Sequence, residues 1–211
     1  MKTPSHHPTD ESLARYSAGT LDAGPRLVVA VHANGCPHCR GRIRSLEAAG
    51  GALLQDLEPA ALSTNAFART LERLDQPAPR IVAPPVLAPD MPSPLRHYPL
   101  GPWRFVHPGL RWRRPALPEA PDANVIMLKV AAGQRVPEHG HTGTEYTQVM
   151  AGGFSDRFGH YVAGDCIEMD EDVDHQPVVD LDGECIVLAA VEGRLRLRFW
   201  LGRMFQPLIG I

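Results

Sequence analysis

Seven prolines fall between Pro77 and Pro94, at positions 77, 79, 84, 85, 89, 92 and 94. Proline at that density removes backbone donors and holds the chain extended, so neither a helix nor an interior strand runs through it. The segment, 77–94, reads as a linker or a strap crossing a domain surface. It divides the 211 residues into a front region, 1–76, and a back region, 95–211. Hydrophobic residues make up 44% and charged residues 21%, an ordinary folded composition that excludes a wholly disordered chain. The front region carries eight basic and eight acidic residues, and residues 77–211 carry 13 and 16. A net charge of −3 supplies no field for drawing nucleic acid by charge alone. No apolar run approaches the length of a membrane span. Met1 to Asp10 lack the apolar stretch of a secretory signal, so a cytoplasmic protein without membrane contact is expected.

The front region has helical period. Thr9 or Asp10 is placed to cap a helix running through Leu13 and Tyr16 to Gly19. A second helix starts near Asp22, with Pro25 in its first turn and Leu27, Val28, Val31 and His32 at helical spacings, and Gly35 ends it. A third runs from Pro37 through Ile43, Leu46, Leu53 and Leu54, weakened by Gly50 and Gly51. Ser63 or Thr64 opens a fourth, with Phe67, Leu71 and Leu74 on one stripe, and Pro77 stops it. The back region reads instead as short strands between Gly, Asp and Pro. They include 125–130, 146–149, 166–169, 185–188 and the alternating run 194–200. Strands so spaced suggest a sandwich or barrel.

Two sets of potential metal ligands stand out. His32, Cys36 and Cys39 follow the spacing HxxxCxxC between two helices, and one helical turn brings His32 and Cys36 to the same side. Two thiolates and an imidazole suit tetrahedral zinc. A redox dithiol would instead follow a strand and open a helix. A fourth ligand is available from His6 or His7, and His38, inside the spacer, is expected to be exposed. The second set is His139, His141, Glu145 and, thirty residues on, His175. His139 and His141 point to one face of a strand. This N/O set suits Zn, Fe, Mn, Ni or Cu, so residue type does not choose among them.

The second set lies within Gly133, five residues, His139, one, His141, three, Glu145, six, Gly152. That pattern resembles the first motif of the cupin barrels at every fixed position. The second cupin motif is degenerate here, with Glu171-Asp172-Val173-Asp174 before His175. A helical zinc module followed by a cupin resembles the ChrR family of anti-sigma factors. The resemblance runs from His6-His7-Pro8-Thr9-Asp10 and Tyr16-Ser17-Ala18-Gly19-Thr20-Leu21 through the HxxxCxxC set and the cupin motif. It continues to Leu188-Ala189-Ala190 and Gln206-Pro207.

The resemblance implies a two-domain α + β chain. Residues 1–76 would be a helical zinc-binding anti-sigma domain, 77–94 a linker, and 95–211 a C-terminal cupin β-barrel. It implies that His7 rather than His6 completes the first zinc set, and that His139, His141, Glu145 and His175 hold zinc or another divalent transition metal. It implies a cytoplasmic, non-enzymatic regulator with no catalytic residues. Such a protein holds an extracytoplasmic-function sigma factor inactive and releases it under photooxidative stress such as singlet oxygen, the cupin domain being needed for the response. Leu13, Tyr16, Phe67 and Leu71 are candidates to touch that partner, or to be core instead. The alternative is a metal-dependent cupin enzyme, of dioxygenase or hydrolase type, with an accessory zinc domain. One departure is visible: family members can carry Cys-x-Cys in the strand after the metal histidine, where this chain reads Cys185-Ile186-Val187.

Overall fold

A computed structural model describes residues 3–77 and 84–197. Four α-helices come first: α1 (Asp10–Ser17), α2 (Ala23–Gly35), α3 (Pro37–Gln55) and α4 (Ala66–Leu74). The Thr9 side chain caps α1 by accepting from the Ser12 N–H at 3.2 Å, with Asp10 and Glu11 complementing the helix dipole in the first turn. Pro25 sits in the first turn of α2, where its missing donor costs nothing. Cys36 ends α2 and caps α3, its sulfur accepting from the Cys39 N–H. α3 continues through Gly50 and Gly51 to Gln55.

Eleven strands follow among the described residues: β1 (Arg104–His107), β2 (Leu110–Arg113), β3 (Val125–Val130), β4 (His139–His141), β5 (Glu145–Ala151), β6 (Gly153–Asp156), β7 (Gly159–Val162), β8 (Cys166–Met169), β9 (Val178–Val179), β10 (Cys185–Val191) and β11 (Leu195–Leu197). They form an antiparallel six-stranded sheet in the order β1-β2-β3-β10-β5-β8, a three-stranded sheet β7-β6-β9 and a pair β11-β4. The architecture is a helical front region followed by a sheet-rich back region. Hydrogen bonding among the described strands does not run round a closed ring. The alternating segment 194–200 enters the structure as β11, and its residues 198–200 lie outside the described part, as does Gln206-Pro207.

The inner strands β3, β10 and β5 of the six-stranded sheet are buried on both faces. Val130, Val149, Cys185 and Val187 point to one side, where they meet Phe154, Tyr161 and Val179 of the small sheet. Val125, Met127, Tyr146, Leu188 and Ala190 point to the other, where they meet Leu13, Leu27, Val28 and Val29 of the helices. Two-sided burial explains why 125–130 reads as a continuous apolar run rather than an alternation.

The proline boundary therefore does not separate two independent cores. A linker joins regions that share few contacts, yet α2 packs directly onto β5 and β10. The approach is close: a Cβ added at Gly24 would lie 3.2 Å from the Ala190 Cβ. Leu95, in a 3-10 turn at the end of the proline segment, is fully buried in the same core, so the segment from 84 onward is a strap laid on the surface. Polar contacts join the regions as well. The Ser12 hydroxyl meets the Tyr146 hydroxyl at 3.1 Å, Arg15 forms a two-pronged ion pair with Glu192, and the Thr9 N–H and hydroxyl both donate to Glu168. The physical reason the boundary misleads is that α2 is apolar on more than one side. One side serves α1 and α3, and the other is covered by the sheet and by the 3-10 turn that carries Leu95.

A shared core predicts shared unfolding. Leu188→Ala, on the sheet side, should cost about 2–5 kcal/mol. Calorimetry should still find one transition for both regions, displaced downward. A variant in which the sheet melts first and the helices later would contradict the shared core.

Candidate metal centres

The first centre is built where α2 ends and α3 begins. His32 lies in the last turn of α2, and Cys36 and Cys39 occupy the junction and first turn of α3. The turn between the helices thus delivers three ligands within eight residues of chain. The fourth comes from the N-terminal segment. His7 Nδ1 lies 3.3 Å from His32 Nε2 and 3.5 Å from both Cys36 Sγ and Cys39 Sγ, while Cys39 Sγ lies 3.3 Å from His32 Nε2. Ordinary zinc bond lengths in a tetrahedron give edges of about 3.3 Å between two nitrogens and about 3.6 Å between nitrogen and sulfur. The donor set has those dimensions. His6 is turned away: its Nδ1 lies 3.1 Å from Asp165 Oδ2. His38 is exposed.

Proton affinities in this centre tie metal binding to proton release. Burial and the neighbouring Cys36 push the Cys39 thiol up to about 12. Burial lowers the His32 imidazole and leaves it neutral, the form that ligates. A buried thiol held so high becomes a thiolate only when a cation displaces its proton.

The second centre gathers three elements. β4 supplies His139 and His141, β5 opens with Glu145, and the loop before β9 supplies His175. The backbones of His139 and His175 hydrogen-bond reciprocally, at 2.9 and 3.1 Å, which fixes the loop against β4. Gly140, between the two histidines of β4, leaves room for the Asp174 carboxylate, which a Cβ there would displace. His175 Nε2 lies 3.0 Å from His139 Nε2 and 3.3 Å from Glu145 Oε2, and His141 Nε2 lies 3.0 Å from the same oxygen. Both His141 nitrogens are buried without a hydrogen-bonding partner, and Nε2 faces Glu145 off the hydrogen-bond direction. Such nitrogens are costly unless a cation takes the lone pair.

Outer partners orient both sets. The His139 Nδ1 lies 2.8 Å from the Pro137 carbonyl and the His175 Nδ1 3.0 Å from Asp156, whose side chain is wholly buried, so each Nε2 is turned inward. Burial alone would raise the Glu145 carboxyl, but its contacts with His141, His175 and His139 outweigh this and hold it well below the usual carboxylate range. His175 is held above the ordinary imidazole value, because Glu145 and Asp156 outweigh its burial. His139 is lowered by burial.

Each set is a compact cluster whose donor atoms all lie within 4.8 Å of one another. Among the described residues these two clusters could each hold a metal ion, and both donor sets suit zinc. The Gln148, Asp156 and Asp165 supports carry no motif, and Asp165 shows in sequence only as part of a Gly-Asp turn. The remaining candidates are scattered. Leu13 is 1% exposed and belongs to the core, so it presents no surface to a partner. Tyr16 is half-buried against that core. Phe67 and Leu71, on α4, are exposed.

Comparison with known proteins covers both centres. Residues 99–192 match the family model of the ChrR cupin-like domain. The chain is 36% identical over 215 residues to the anti-sigma-E factor ChrR of Cereibacter sphaeroides, with 99% of this chain and 100% of that protein aligned. The crystal structure of Rhodobacter sphaeroides SigE in complex with the anti-sigma ChrR superposes with a TM-score of 0.72 at 35% identity, covering 90% of this chain and 100% of that one.

Two centres predict two metal equivalents per chain. Replacing Cys36 and Cys39 together by serine should remove one of them, measured by elemental analysis, and an unchanged metal content would refute the first set. Its affinity should fall steeply with acid, because two thiols recover their protons on release. The limit is about a hundredfold per pH unit where both are protonated in the metal-free protein.

Proposed function

The chain belongs to the ChrR family of anti-sigma factors, and from that premise we propose that it binds an extracytoplasmic-function sigma factor and holds it inactive. The observation that carries this reading is the end-to-end similarity to an anti-sigma factor, spanning the helical metal set as well as the cupin-like part. A metal-dependent cupin enzyme has no need of the helical set, and the protein acts as a regulator rather than a catalyst. The sheet-rich region is read as a cupin barrel, supported by the ligand spacing and by the match over 99–192. Among the described residues no helix is long and apolar enough to cross a membrane, and the cytoplasm is the compartment in which a sigma factor is met.

The helical region offers a surface for such a partner. α4 buries none of its residues, and Phe67, Leu71 and Leu74 lie on one face at spacings of four and three. The second half of α3 and the residues beyond it add exposed Leu53, Leu54 and Leu57. Exposed apolar side chains in such number mark an interaction surface. An amphipathic helix of this kind lays its apolar face into a groove of a partner or receives a partner helix. Phe67 and Leu71 are accordingly assigned to the partner interface and Leu13 to the core. His7, His32, Cys36 and Cys39 are assigned as the ligands of the zinc that ties this region together.

The cupin-like region is assigned the response to photooxidative stress such as singlet oxygen. Its metal would join β4, β5 and the loop carrying His175, so a change at the metal reaches β5, on which α2 packs. A vicinal cysteine pair is not the device in this chain, since Val187 stands two residues after Cys185.

Two experiments test the assignment. Phe67→Asp with Leu71→Asp should weaken binding of the cognate sigma factor about a thousandfold, given about 2 kcal/mol for each interface anchor lost. Both metals should remain, and unchanged affinity in a titration would remove α4 from the interface. His141→Ala should deplete the second metal, retain sigma binding, and abolish release. Sigma-dependent transcription before and after singlet-oxygen generation reads this, and a normal response in metal-depleted protein would refute the sensing role.

A further inference from the structure

The ligands of the first centre all come from the helical region, but its outer support comes from the sheet region. His32 turns Nε2 toward the donor set and Nδ1 toward the sheet. There Nδ1 lies 3.0 Å from Gln148 Oε1 and 3.1 Å from the Gly164 carbonyl. A carbonyl oxygen only accepts, so the neutral ring carries its proton on Nδ1 and its lone pair on Nε2. The Gln148 amide is oriented in turn, since its Nε2 donates to the Val149 carbonyl at 2.9 Å and leaves Oε1 for His32. Gln148 is 4% exposed and His32 2%, so bulk water is kept from this contact. Strand alternation puts Gln148 there: β5 points Glu145 into the second metal set and Tyr146 and Gln148 toward the helices.

The N-terminal ligand is held from the same side. The buried Asp165 carboxylate accepts from the Ser5 and His6 N–H groups at 2.7 and 3.1 Å and from the Val162 N–H at 3.0 Å. The Cys166 N–H donates to the His6 carbonyl at 3.1 Å. The residues leading into His7 are thereby fixed to the turn before β8.

We infer that Gln148 is a positioning residue of the first metal centre: its amide oxygen locks the tautomer and ring angle of His32, so that strand β5 of the sheet region sets part of the affinity for the metal of the helical region. This goes beyond the anti-sigma reading and does not rest on it. Loss of such an outer partner typically costs 10–100-fold in metal affinity. The Gly164 carbonyl remains as a second acceptor for the same N–H, so the lower end, about tenfold, is expected here.

The test uses the full-length protein with cobalt(II) as probe and zinc as competitor. The thiolate-to-cobalt charge-transfer band reports the first centre alone, because the second donor set contains no sulfur. Gln148→Met keeps the length of the side chain and removes the acceptor, and should weaken binding about tenfold. Gln148→Glu supplies a charged acceptor at the same place, and should hold metal at least as tightly as the native protein. Circular dichroism and metal content of the second centre accompany both titrations. Binding by Gln148→Met within twofold of native would overturn the inference. So would a Gln148→Glu protein as weak as Gln148→Met, because packing rather than the acceptor would then set the site. Should Gln148→Met not fold, Gln148→Glu decides alone: affinity at or above native supports the inference, and a loss beyond threefold overturns it.

Discussion

The structure turns on the packing of α2 against β5 and β10. Val28 and Val29 are wholly inaccessible to solvent, with Leu188 and Ala190 at zero exposure on the sheet side. Removing such side chains from water stabilises by about 1.5–3 kcal/mol for each large residue. Either surface alone would be an exposed apolar patch. Once α2 is docked, the positions of His32 and the α2–α3 junction are set relative to the sheet. The contacts of Gln148, Gly164 and Asp165 with the N-terminal region all depend on that placement.

The two metal centres solve different chemical problems. In the first, the Cys39 thiol, hidden from water, holds its proton tightly, so an ion must displace that proton to gain a thiolate ligand. In the second, the carboxylate of Glu145 is already ionised and the imidazoles are already turned inward by Pro137 and Asp156. The first donor set therefore couples metal binding to release of the Cys39 proton, whereas the second offers a carboxylate that is already charged. β5 serves both, with Glu145 at its start and Gln148 three residues later.

Stability is spread unevenly over the helices. α1, α2 and the first half of α3 are tied into the core, whereas α3 buries nothing beyond Ile43 and α4 buries nothing at all. Elements with little buried apolar area open at low free-energy cost. They are also the ones that display leucines and a phenylalanine to solvent. A segment of this kind gains its packing from a partner, which suits a protein whose work is to bind and then let go.

The sequence alone determined the chemistry of both ligand sets, because ligand type and local spacing are properties of the chain. HxxxCxxC needs only a helix turn to converge, and HxH followed by Glu145 needs only two short strands. Helix starts at Thr9 and near Asp22 were legible from capping chemistry, and the change of period across the prolines from side-chain pattern. Tertiary structure alone decided the rest. It chose His7 over His6 in space, because Asp165 takes up His6. It buried Leu13 and exposed Phe67, which periodicity treats alike, because a stripe of apolar residues does not say what covers it. It joined two regions that proline composition separates, and it brought Gln148 to His32 across 116 residues of chain. Contacts of that range follow from how surfaces meet in three dimensions, and no local pattern encodes them.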